Sequence, residues 1–501
     1  MENTESRLSE DVPGGDRLST GVRGLDSILH GGLIPGRTYM VRGRPGTGKS
    51  VLGLHFLTDA ATAGETETLY INLEESEADI RENADSLGFD LSSIEFLDLS
   101  PDSEFFVNDL SYDIFTSDEV AEESVTEEIT ERIREADPDR VFVDPLTQLR
   151  YLSSDNYQFR KQVLSFMQFL SEQGTTVLFT SQDTEAEPDD DLQFVSDGIF
   201  HLKQSSDGRT IEIPKFRGTD FESGEHSFTI EHGGLTVYPS LVPRQHEKEF
   251  HAETISSGVP ELDQLLDGGI ERGTVSIVTG PTGVGKTTTG IQFMKEAAGR
   301  GERSVIYSFE EGKGTLLHRC EAINIPIHEM LDQEALQIEE IEGLQLSADE
   351  FAHRVREQVE QQQTEIVMID GVTGYQLALQ GDDQSLTTEL HSLCRYLKNM
   401  GVTVILVSET RDITGPFQIT AEGLSYLGDT ILFLQHLEVD GQMHKAIGVL
   451  KKRTSDFERA MREFQITDYG VQIGDQLTDL RGILSGTPEW DESKQGDIGD
   501  T

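Results

Sequence analysis

The sequence contains two copies of one long pattern. Residues 21–50 read GVRGLDSILHGGLIPGRTYMVRGRPGTGKS, and residues 258–287 read GVPELDQLLDGGIERGTVSIVTGPTGVGKT. Solenoid repeats have periods of about 20–50 residues, whereas these copies start more than two hundred residues apart, so the chain holds a duplicated domain. Later features recur at nearly the same separation: Glu74-Glu75 with Glu310-Glu311, Lys215-x-Arg217 with Lys451-x-Arg453, and Phe228-x-Ile230 with Phe464-x-Ile466.

Each copy alternates short apolar runs with longer stretches that are compatible with helices. Continuous Val, Ile and Leu runs are typical of parallel strands that are covered on both faces. The polar stretch from Ser117 to Asp137 has apolar spacing near that of a helix and predicts one. We therefore predict an α/β fold in which each copy has a mostly parallel central sheet flanked by helices. The predicted strands are 69–73, 141–143 and 177–179 in the first copy, and 305–309, 366–369 and 402–407 in the second.

Composition and the repeat together predict the domain boundaries. We expect a first domain at 17–243, a charged linker at 244–254 and a second domain at 255–486. Polar or acidic segments with little apolar surface to bury are typically disordered. We expect this of residues 1–16 and of the acidic tail at 487–501.

The charge balance restricts the class of partner. Lys and Arg number 40 against 92 Asp and Glu, which gives a formal net charge of −52. Such a chain repels nucleic-acid backbones and anionic lipid surfaces, because both are bound through Lys and Arg. Acid spread along the whole sequence, with Lys scarcer than Arg, suits a cytoplasm with molar salt, where screening shortens repulsion. We therefore expect a halophilic, haloarchaeal source.

Cysteine usage and apolar runs indicate where the protein resides. Cys320 and Cys394 are the only cysteines in the sequence, which is not a disulfide framework, and we expect both to be buried thiols. The first 13 residues lack the apolar core of a signal peptide. No apolar run approaches the roughly 18 residues needed to span a bilayer. We predict a soluble, cytoplasmic protein without a membrane partner.

Two segments fit the phosphate-loop pattern GxxxxGK[ST], each after an apolar strand. Glycines let backbone N–H groups point at phosphates, the lysine neutralises phosphate oxygens, and the hydroxyl reaches a Mg²⁺ ion. ATP and Mg²⁺ are the predicted cofactors. The predicted ATP-binding residues are Gly43, Gly46, Thr47, Gly48, Lys49 and Ser50 in the first copy, and Gly280, Thr282, Gly283, Gly285, Lys286, Thr287 and Thr288 in the second.

Acidic residues follow strands downstream of each phosphate loop. Asp144 and Asp370 each end an apolar run, and we predict that they bind Mg²⁺ together with Ser50 and Thr287. Hydrolysis also needs a group that orients and deprotonates water. The recurring pairs are the candidates for this role: Glu74 with Glu75, and Glu310 with Glu311.

The combined pattern resembles the KaiC family, the ATPases and autokinases of the cyanobacterial clock. The resemblance covers residues from about 17 to 487 and rests on the GVxxLDxxxxGG lead-in, both phosphate loops, both glutamate pairs and both KxR segments. It implies two tandem RecA-like P-loop NTPase domains per chain and a ring, usually a hexamer, with ATP between neighbouring subunits. It also implies that four cations reach the neighbour's γ-phosphate: Lys215, Arg217, Lys451 and Arg453.

The resemblance further implies candidate phosphoacceptors. Alignment through residues 429–435 places Ser425 on the family's acceptor serine, but Tyr426 on its acceptor threonine. Thr420 matches a nearby threonine used as a transient acceptor. The first copy has Gln193-Phe194 in this place, with no hydroxyl, so we expect the first copy to hydrolyse ATP and the second also to phosphorylate Ser425.

Three functions remain open at this point. The first is a KaiC-like double-domain Mg²⁺-dependent ATPase with serine/threonine autokinase activity, an oligomeric timer or signalling switch with KaiB-like or histidine-kinase partners. The second is a RecA-like or helicase-type DNA-dependent ATPase, since fold does not fix function; its inner loops would offer Arg150 and Tyr151. The third is a nucleotide-gated scaffold with negligible turnover. The acidity and the glutamate pairs favour the first.

Overall fold

The computed structural model describes residues 17–63, 67–100, 129–150, 156–182, 189–206, 208–241, 253–343, 346–381, 383–410, 425–439, 441–478, 480–481 and 489–490. The chain divides into two compact units between Ser240 and Leu241. The predicted disordered N-terminus, most of the linker and most of the acidic tail lie outside the described residues.

The first unit alternates strands and helices before it ends in antiparallel strands. Its strands are β1 (Thr38–Gly43), β2 (Thr68–Asn72), β3 (Glu95–Asp98), β4 (Arg140–Asp144), β5 (Thr176–Gln182), β6 (Gly198–Ser205), β7 (Gly208–Phe216), β8 (Glu225–Glu231) and β9 (Gly234–Tyr238). Its helices are α1 (Arg23–Ile28), α2 (Lys49–Ala63), α3 (Glu77–Ser86), α4 (Asn156–Gln173) and α5 (Asp190–Val195), with a 3₁₀ helix at Leu146–Arg150.

The second unit repeats this order with short additional strands. Its strands are β10 (Thr254–Ile255), β11 (Ile270–Glu271), β12 (Val275–Gly280), β13 (Ser304–Ser308), β14 (Leu336–Glu340), β15 (Leu346–Ser347), β16 (Ile366–Asp370), β17 (Leu379–Gln380), β18 (Thr403–Glu409), β19 (Thr430–Val439), β20 (Gln442–Lys452), β21 (Arg462–Thr467), β22 (Gly470–Gln476), β23 (Leu480–Arg481) and β24 (Glu489–Trp490). Its helices are α6 (Pro260–Leu265), α7 (Lys286–Gly299), α8 (Lys313–Ala322), α9 (Ile327–Asp332), α10 (Ala348–Glu360), α11 (Val372–Ala378) and α12 (Asp383–Asn399).

Both central sheets have the same strand order. Within the described residues the first sheet runs β3-β2-β4-β5-β1-β6-β7-β8-β9, and the second runs β14-β13-β16-β18-β12-β19-β20-β21-β22. In the first sheet, the neighbours in the row β3-β2-β4-β5-β1-β6 pair in parallel, and those in the row β6-β7-β8-β9 pair antiparallel. The strand that leads into each phosphate loop therefore lies inside the parallel part, which confirms the predicted α/β class.

Each sheet is covered on both faces. Alternate residues of a strand point to opposite faces, and the apolar residues on both faces are buried. Tyr39 and Val41 belong to one buried apolar cluster, whereas Met40 between them belongs to another. Cys320 and Cys394 are buried free thiols, as predicted. Of the predicted helix from Ser117 to Asp137, residues 129–136 are helical and 117–128 lie outside the described residues. Among the described residues, no helix combines the length and the apolar character that crossing a bilayer requires.

Candidate nucleotide sites

Both glycine-rich segments connect a central strand to a helix. Residues 44–48 join the carboxyl end of β1 to α2, which begins at Lys49, and residues 281–285 join β12 to α7, which begins at Lys286. Backbone N–H groups at such a helix start bind phosphate well. The structure thus forms the predicted phosphate loop twice, although Thr288 is buried in α7.

A side chain at Gly48 or Gly285 would be strained. Their φ angles are +103° and +115°, a region that residues with a Cβ rarely adopt. A Cβ at Gly48 would lie 2.5 Å from Ile230 Cδ1, and one at Gly285 would lie 2.6 Å from Ile466 Cδ1. The isoleucines of the repeated Phe-x-Ile pattern, on β8 and β21, therefore lie against the two glycine-rich loops.

Each loop lysine lies against its own loop. Lys49 Nζ donates hydrogen bonds to the carbonyls of Gly43 at 3.0 Å and Arg44 at 3.1 Å, and Lys286 Nζ donates to the carbonyl of Pro281 at 2.9 Å. Burial lowers the pKa of both ammonium groups, while nearby carboxylates raise it. A largely buried cation inside a loop of backbone N–H groups fits a polyphosphate.

In the second unit the predicted Mg²⁺ ligands meet. Thr287 Oγ1 donates a hydrogen bond to Asp370 Oδ1 at 2.9 Å. Asp370 is 4% exposed, and this burial raises its pKa to about 6. A hydroxyl and a carboxylate are the hard oxygen ligands that Mg²⁺ prefers, so these residues fit the ion.

In the first unit the corresponding carboxylate is held from two neighbouring strands. The Tyr70 hydroxyl donates to Asp144 Oδ2 at 3.1 Å, and the Thr180 hydroxyl donates to Asp144 Oδ1. Both donors are fully buried. The residues at the corresponding strand positions of the second unit are Ile306 and Val407, which cannot donate. The two carboxylates that are predicted to bind Mg²⁺ are therefore oriented by different contacts.

The first glutamate of each pair lies near the loop lysine. Burial lowers the pKa of both loop lysines. The carboxylates of Asp144 and Glu74 partly offset this at Lys49, and those of Glu409 and Glu310 partly offset it at Lys286. Burial raises the pKa of Glu310, and the carboxylate of Glu409 raises it further.

The second glutamates have other surroundings. Glu311 forms an ion pair with Arg319 at 2.9 Å, whereas Glu75 lines a cavity beside the first phosphate loop. The second glutamate therefore has an arginine partner in the second unit, whereas in the described part of the first unit no Lys or Arg forms an ion pair with it.

The KxR cations bind main-chain carbonyls and acids of their own unit. Lys215 Nζ donates to the carbonyl of Gln193 at 2.6 Å, and Lys451 Nζ donates to that of Ser425 at 3.0 Å. The two arginines lie near acids and remain about half exposed: Arg217 is 3.6 Å from Asp197 and Arg453 is 3.5 Å from Asp429.

These cations lie near the amino ends of the parallel strands, whereas the phosphate loop of the same unit follows their carboxyl ends. Lys215 pairs with Ile199 near the start of β6, and Ile199 pairs with Met40 near the start of β1. The phosphate loop leaves the other end of β1, after Gly43. The second unit has the same register, through Lys451 with Ile431 and Ile431 with Ile277. The structure therefore does not bring these cations to the phosphate loop of their own unit.

The comparison with protein families agrees with this duplicated geometry. The model of the KaiC ATPase family matches residues 18–242 and again 255–478. The chain belongs to the KaiC ATPase family. Membership implies ATP binding and P-loop ATPase chemistry.

Similar KaiC proteins align with nearly the whole chain. The circadian clock oscillator protein KaiC of Picosynechococcus sp. is 30% identical over 503 residues, which cover 97% of this chain and 95% of that protein. KaiC 1 of Synechocystis sp. is 30% identical over 495 residues, 96% of this chain and 94% of its own. KaiC of Synechococcus elongatus is 29% identical over 486 residues, 94% and 92% of the two chains.

Two further cations of this KaiC-family chain contact the phosphate loops from within their own unit. Arg209 Nη1 donates to the carbonyl of Gly46 at 3.0 Å, and Lys445 Nζ donates to that of Gly283 at 3.0 Å. Sequence reasoning missed both. Their matching positions in the two copies were the available signal, because each comes six residues before the KxR lysine.

Sequence reasoning also missed the last residue of β5 and of β18, the strands that pair with β1 and β12. This residue differs between the two KaiC units. Gln182 ends β5, and its amide donates to Glu74 Oε2 at 3.3 Å. Glu409 ends β18 at the corresponding position and cannot donate such a bond. The first glutamate thus has an amide neighbour in one unit and a carboxylate neighbour in the other.

The candidate acceptors are only partly described. Ser425 is exposed, and its carbonyl is bound by Lys451. Thr420 lies outside the described residues. Gln193 is the first-unit residue bound in the same way, by Lys215, which agrees with the alignment of the two KaiC units.

Proposed function

We propose that this KaiC-family chain is a Mg²⁺-dependent ATPase that assembles into a ring of six and acts as a timer or signalling switch. The observation that supports the ring is the position of the KxR cations. Lys215 and Lys451 each lie at the opposite end of the parallel strands from the phosphate loop of their own unit. They can serve a phosphate only if another subunit presents one.

A head-to-tail ring satisfies this geometry. In a heterologous interface, one edge of a subunit contacts the opposite edge of its neighbour, and repetition of the contact closes a ring. Each ATP then lies between the loop of one subunit and the KxR cations of the next. Lys215 with Arg217, and Lys451 with Arg453, stabilise the charge that develops on the γ-phosphate.

The residues of the loop side divide the remaining tasks. Lys49 and Lys286 neutralise phosphate oxygens, while Ser50 with Asp144 and Thr287 with Asp370 hold Mg²⁺. When bound, this ion offsets the negative charge of the β- and γ-phosphates. Glu74 and Glu310 orient and deprotonate the attacking water, since each lies near its loop lysine.

The second unit also phosphorylates Ser425 in this proposal. The Ser425 carbonyl is bound to Lys451, so the acceptor hydroxyl and the cation would approach the same neighbouring ATP. Transfer forms a bond between Ser425 Oγ and the γ-phosphorus and releases ADP. The hydroxyl proton passes to a carboxylate of the neighbour's site, for which Glu310 is the candidate.

Two observations bear on the other functions. Arg150, the basic residue of the candidate DNA loop, pairs with Asp191 at 3.3 Å and lies over the Phe159 ring. The comparisons do not favour a DNA-dependent ATPase.

The partners that we propose are proteins of the KaiB or histidine-kinase type, which would bind the ring differently in its different nucleotide states.

Mixing of inactive variants tests the shared site. In a Lys286→Ala background, which disables the second loop, Glu74→Gln and Lys215→Ala/Arg217→Ala should each abolish phosphate release. Random co-assembly of equal amounts should restore about one quarter of the parental rate, because some interfaces then combine an intact loop with intact cations. No recovery in rings verified by light scattering, or a monomer that ATP does not change, would contradict the proposal. Mixing Glu74→Gln with Asp144→Asn variants is the control, because both changes inactivate the loop side and every interface then lacks an intact loop.

A further inference from the structure

A cavity of about 320 Å³ opens beside the first phosphate loop. One part of it belongs to the nucleotide site, because Lys49, Ser50 and Asp144 line it. The other part extends between α2 and α3. Its walls are the apolar side chains of Leu54, Ile80 and Leu87, with Asn83 beside them.

The second unit has an arginine at the corresponding place. Arg319 holds the position in α8 that Asn83 holds in α3. Its guanidinium group forms an ion pair with Glu311 at 2.9 Å. Burial raises the pKa of Asp370, and the Thr287 hydrogen bond and the charge of Arg319 partly offset this rise. The residues that correspond to Leu54, Ile80 and Leu87 are again apolar, namely Ile291, Leu316 and Ile323.

The first unit has the same acids without this cation. Glu75 corresponds to Glu311, and in the described part of the chain no Lys or Arg forms an ion pair with it. Partial burial and the carboxylates of Asp144 and Glu74 raise the pKa of Glu75. The cavity lining therefore combines three acids, Glu74, Glu75 and Asp144, and one cation, Lys49, with apolar walls.

We propose that the α2–α3 part of this cavity binds a guanidinium group on a short apolar stem, which pairs with Glu75 as Arg319 pairs with Glu311. Guanidinium suits the place because it is planar, pairs with a carboxylate through two hydrogen bonds and is less strongly hydrated than ammonium. The apolar walls contact the stem, in the way that arginine side chains bury their methylene groups. This site goes beyond ATP hydrolysis and does not depend on it.

Equilibrium dialysis with labelled n-propylguanidinium, which has the shape of an arginine side chain, tests the site in nucleotide-free protein. The wild-type chain should bind one equivalent. Asn83→Arg should bind none, because the new arginine fills the cavity, and Arg319→Asn should bind two, because it opens the second cavity. Glu75→Gln should weaken binding at least about tenfold.

The controls separate this site from general salt effects. n-Butylammonium, which has the shape of a lysine side chain, should bind more weakly than n-propylguanidinium. N-acetylarginine amide imitates an arginine within a polypeptide. Tighter binding of this compound than of n-propylguanidinium would indicate a polypeptide as the natural source, and weaker binding would indicate a free small molecule. Absence of saturable binding to the wild type would overturn the proposal. Equal stoichiometry in the wild type, Asn83→Arg and Arg319→Asn would also overturn it. Loss of ATPase activity alone would not, because the dialysis requires no nucleotide.

Discussion

Lys451 binds the main-chain carbonyl of Ser425 at 3.0 Å. The first unit has the same contact between Lys215 and Gln193, at 2.6 Å. A cation proposed to reach a neighbour's ATP is thus attached to the segment that bears the candidate acceptor. The second unit presents a hydroxyl there, and the first presents an amide.

The first prediction concerns phosphorylation. Intact-mass analysis after incubation with ATP and Mg²⁺ should detect one added phosphate, which Ser425→Ala removes. Lys451→Ala should reduce the phosphorylated fraction, because it removes both the contact with the Ser425 carbonyl and the proposed charge on the neighbour's phosphate.

Two hydroxyl residues close to Ser425 in the sequence serve as controls for this prediction. Tyr426→Phe and Thr420→Ala should keep the added phosphate. A Ser425→Ala protein that is phosphorylated to the same extent would contradict the assignment, and an unmodified wild type would remove the kinase activity from the proposal.

The second prediction concerns the hydroxyl that holds Asp144. Tyr70→Phe removes the 3.1 Å hydrogen bond to the carboxylate. A lost hydrogen bond to a half-buried carboxylate costs about 1–3 kcal/mol, so the free energy of unfolding should fall by about that amount. Loss of a residue that orients a metal ligand typically weakens metal binding about tenfold or more, so the Mg²⁺ concentration for half-maximal nucleotide binding should rise by that factor in a Lys286→Ala background.

Tyr307→Phe is the matched control. Among the described residues, the Tyr307 hydroxyl is buried without a hydrogen-bond partner. Its removal should be neutral or slightly stabilising and should leave the Mg²⁺ dependence unchanged. Equal effects of the two substitutions would show that the contact with Asp144 has no special role.

The third prediction concerns pH and Asp370. Burial raises the pKa of this carboxyl from 3.8 to about 6, so the folded chain holds the proton more tightly than the unfolded chain. The protonated carboxyl favours folding at low pH, and that advantage is lost as the pH rises from about 4 to about 6. Without Mg²⁺ or nucleotide, Asp370→Asn should therefore be more stable than the wild type at pH 7.5, by about 2–3 kcal/mol, and about equal to it near pH 4.

Asp429 provides a control with the opposite sign. It is also buried, but Lys398 pairs with it at 2.7 Å, so Asp429→Asn should destabilise the protein at neutral pH. Thermal unfolding at the two pH values measures both variants. A stability difference for Asp370→Asn that does not change with pH would contradict the prediction.

The fourth prediction concerns salt. A net charge of −52 produces repulsion that salt screens, and the screening length falls to about 3 Å near 1 M. The midpoint of thermal unfolding should rise with KCl and then level off. Choline chloride should act similarly if screening is the cause, and a flat or falling midpoint in KCl would exclude the expected halophilic adaptation.

The sequence by itself determined the duplication, the α/β class and the phosphate loops. These features depend on local order along the chain: a glycine at a fixed position before a lysine, or an apolar run that ends in an acid. The strand predictions succeeded for the same reason, since runs such as 366–369 are buried on both faces and need no distant partner to be recognised.

The tertiary structure decided which residues share a site. Glu310 and Glu311 are adjacent in the sequence, but one lies near Lys286 and the other pairs with Arg319, because neighbouring residues after a strand point in different directions. Gln182 ends β5 and Glu74 follows β2, and β4 separates these strands in the sheet, so only the fold brings the two side chains together. Lys215 and the phosphate loop of its own unit lie at opposite ends of the parallel strands. This likewise follows from strand direction and register, which local sequence does not specify.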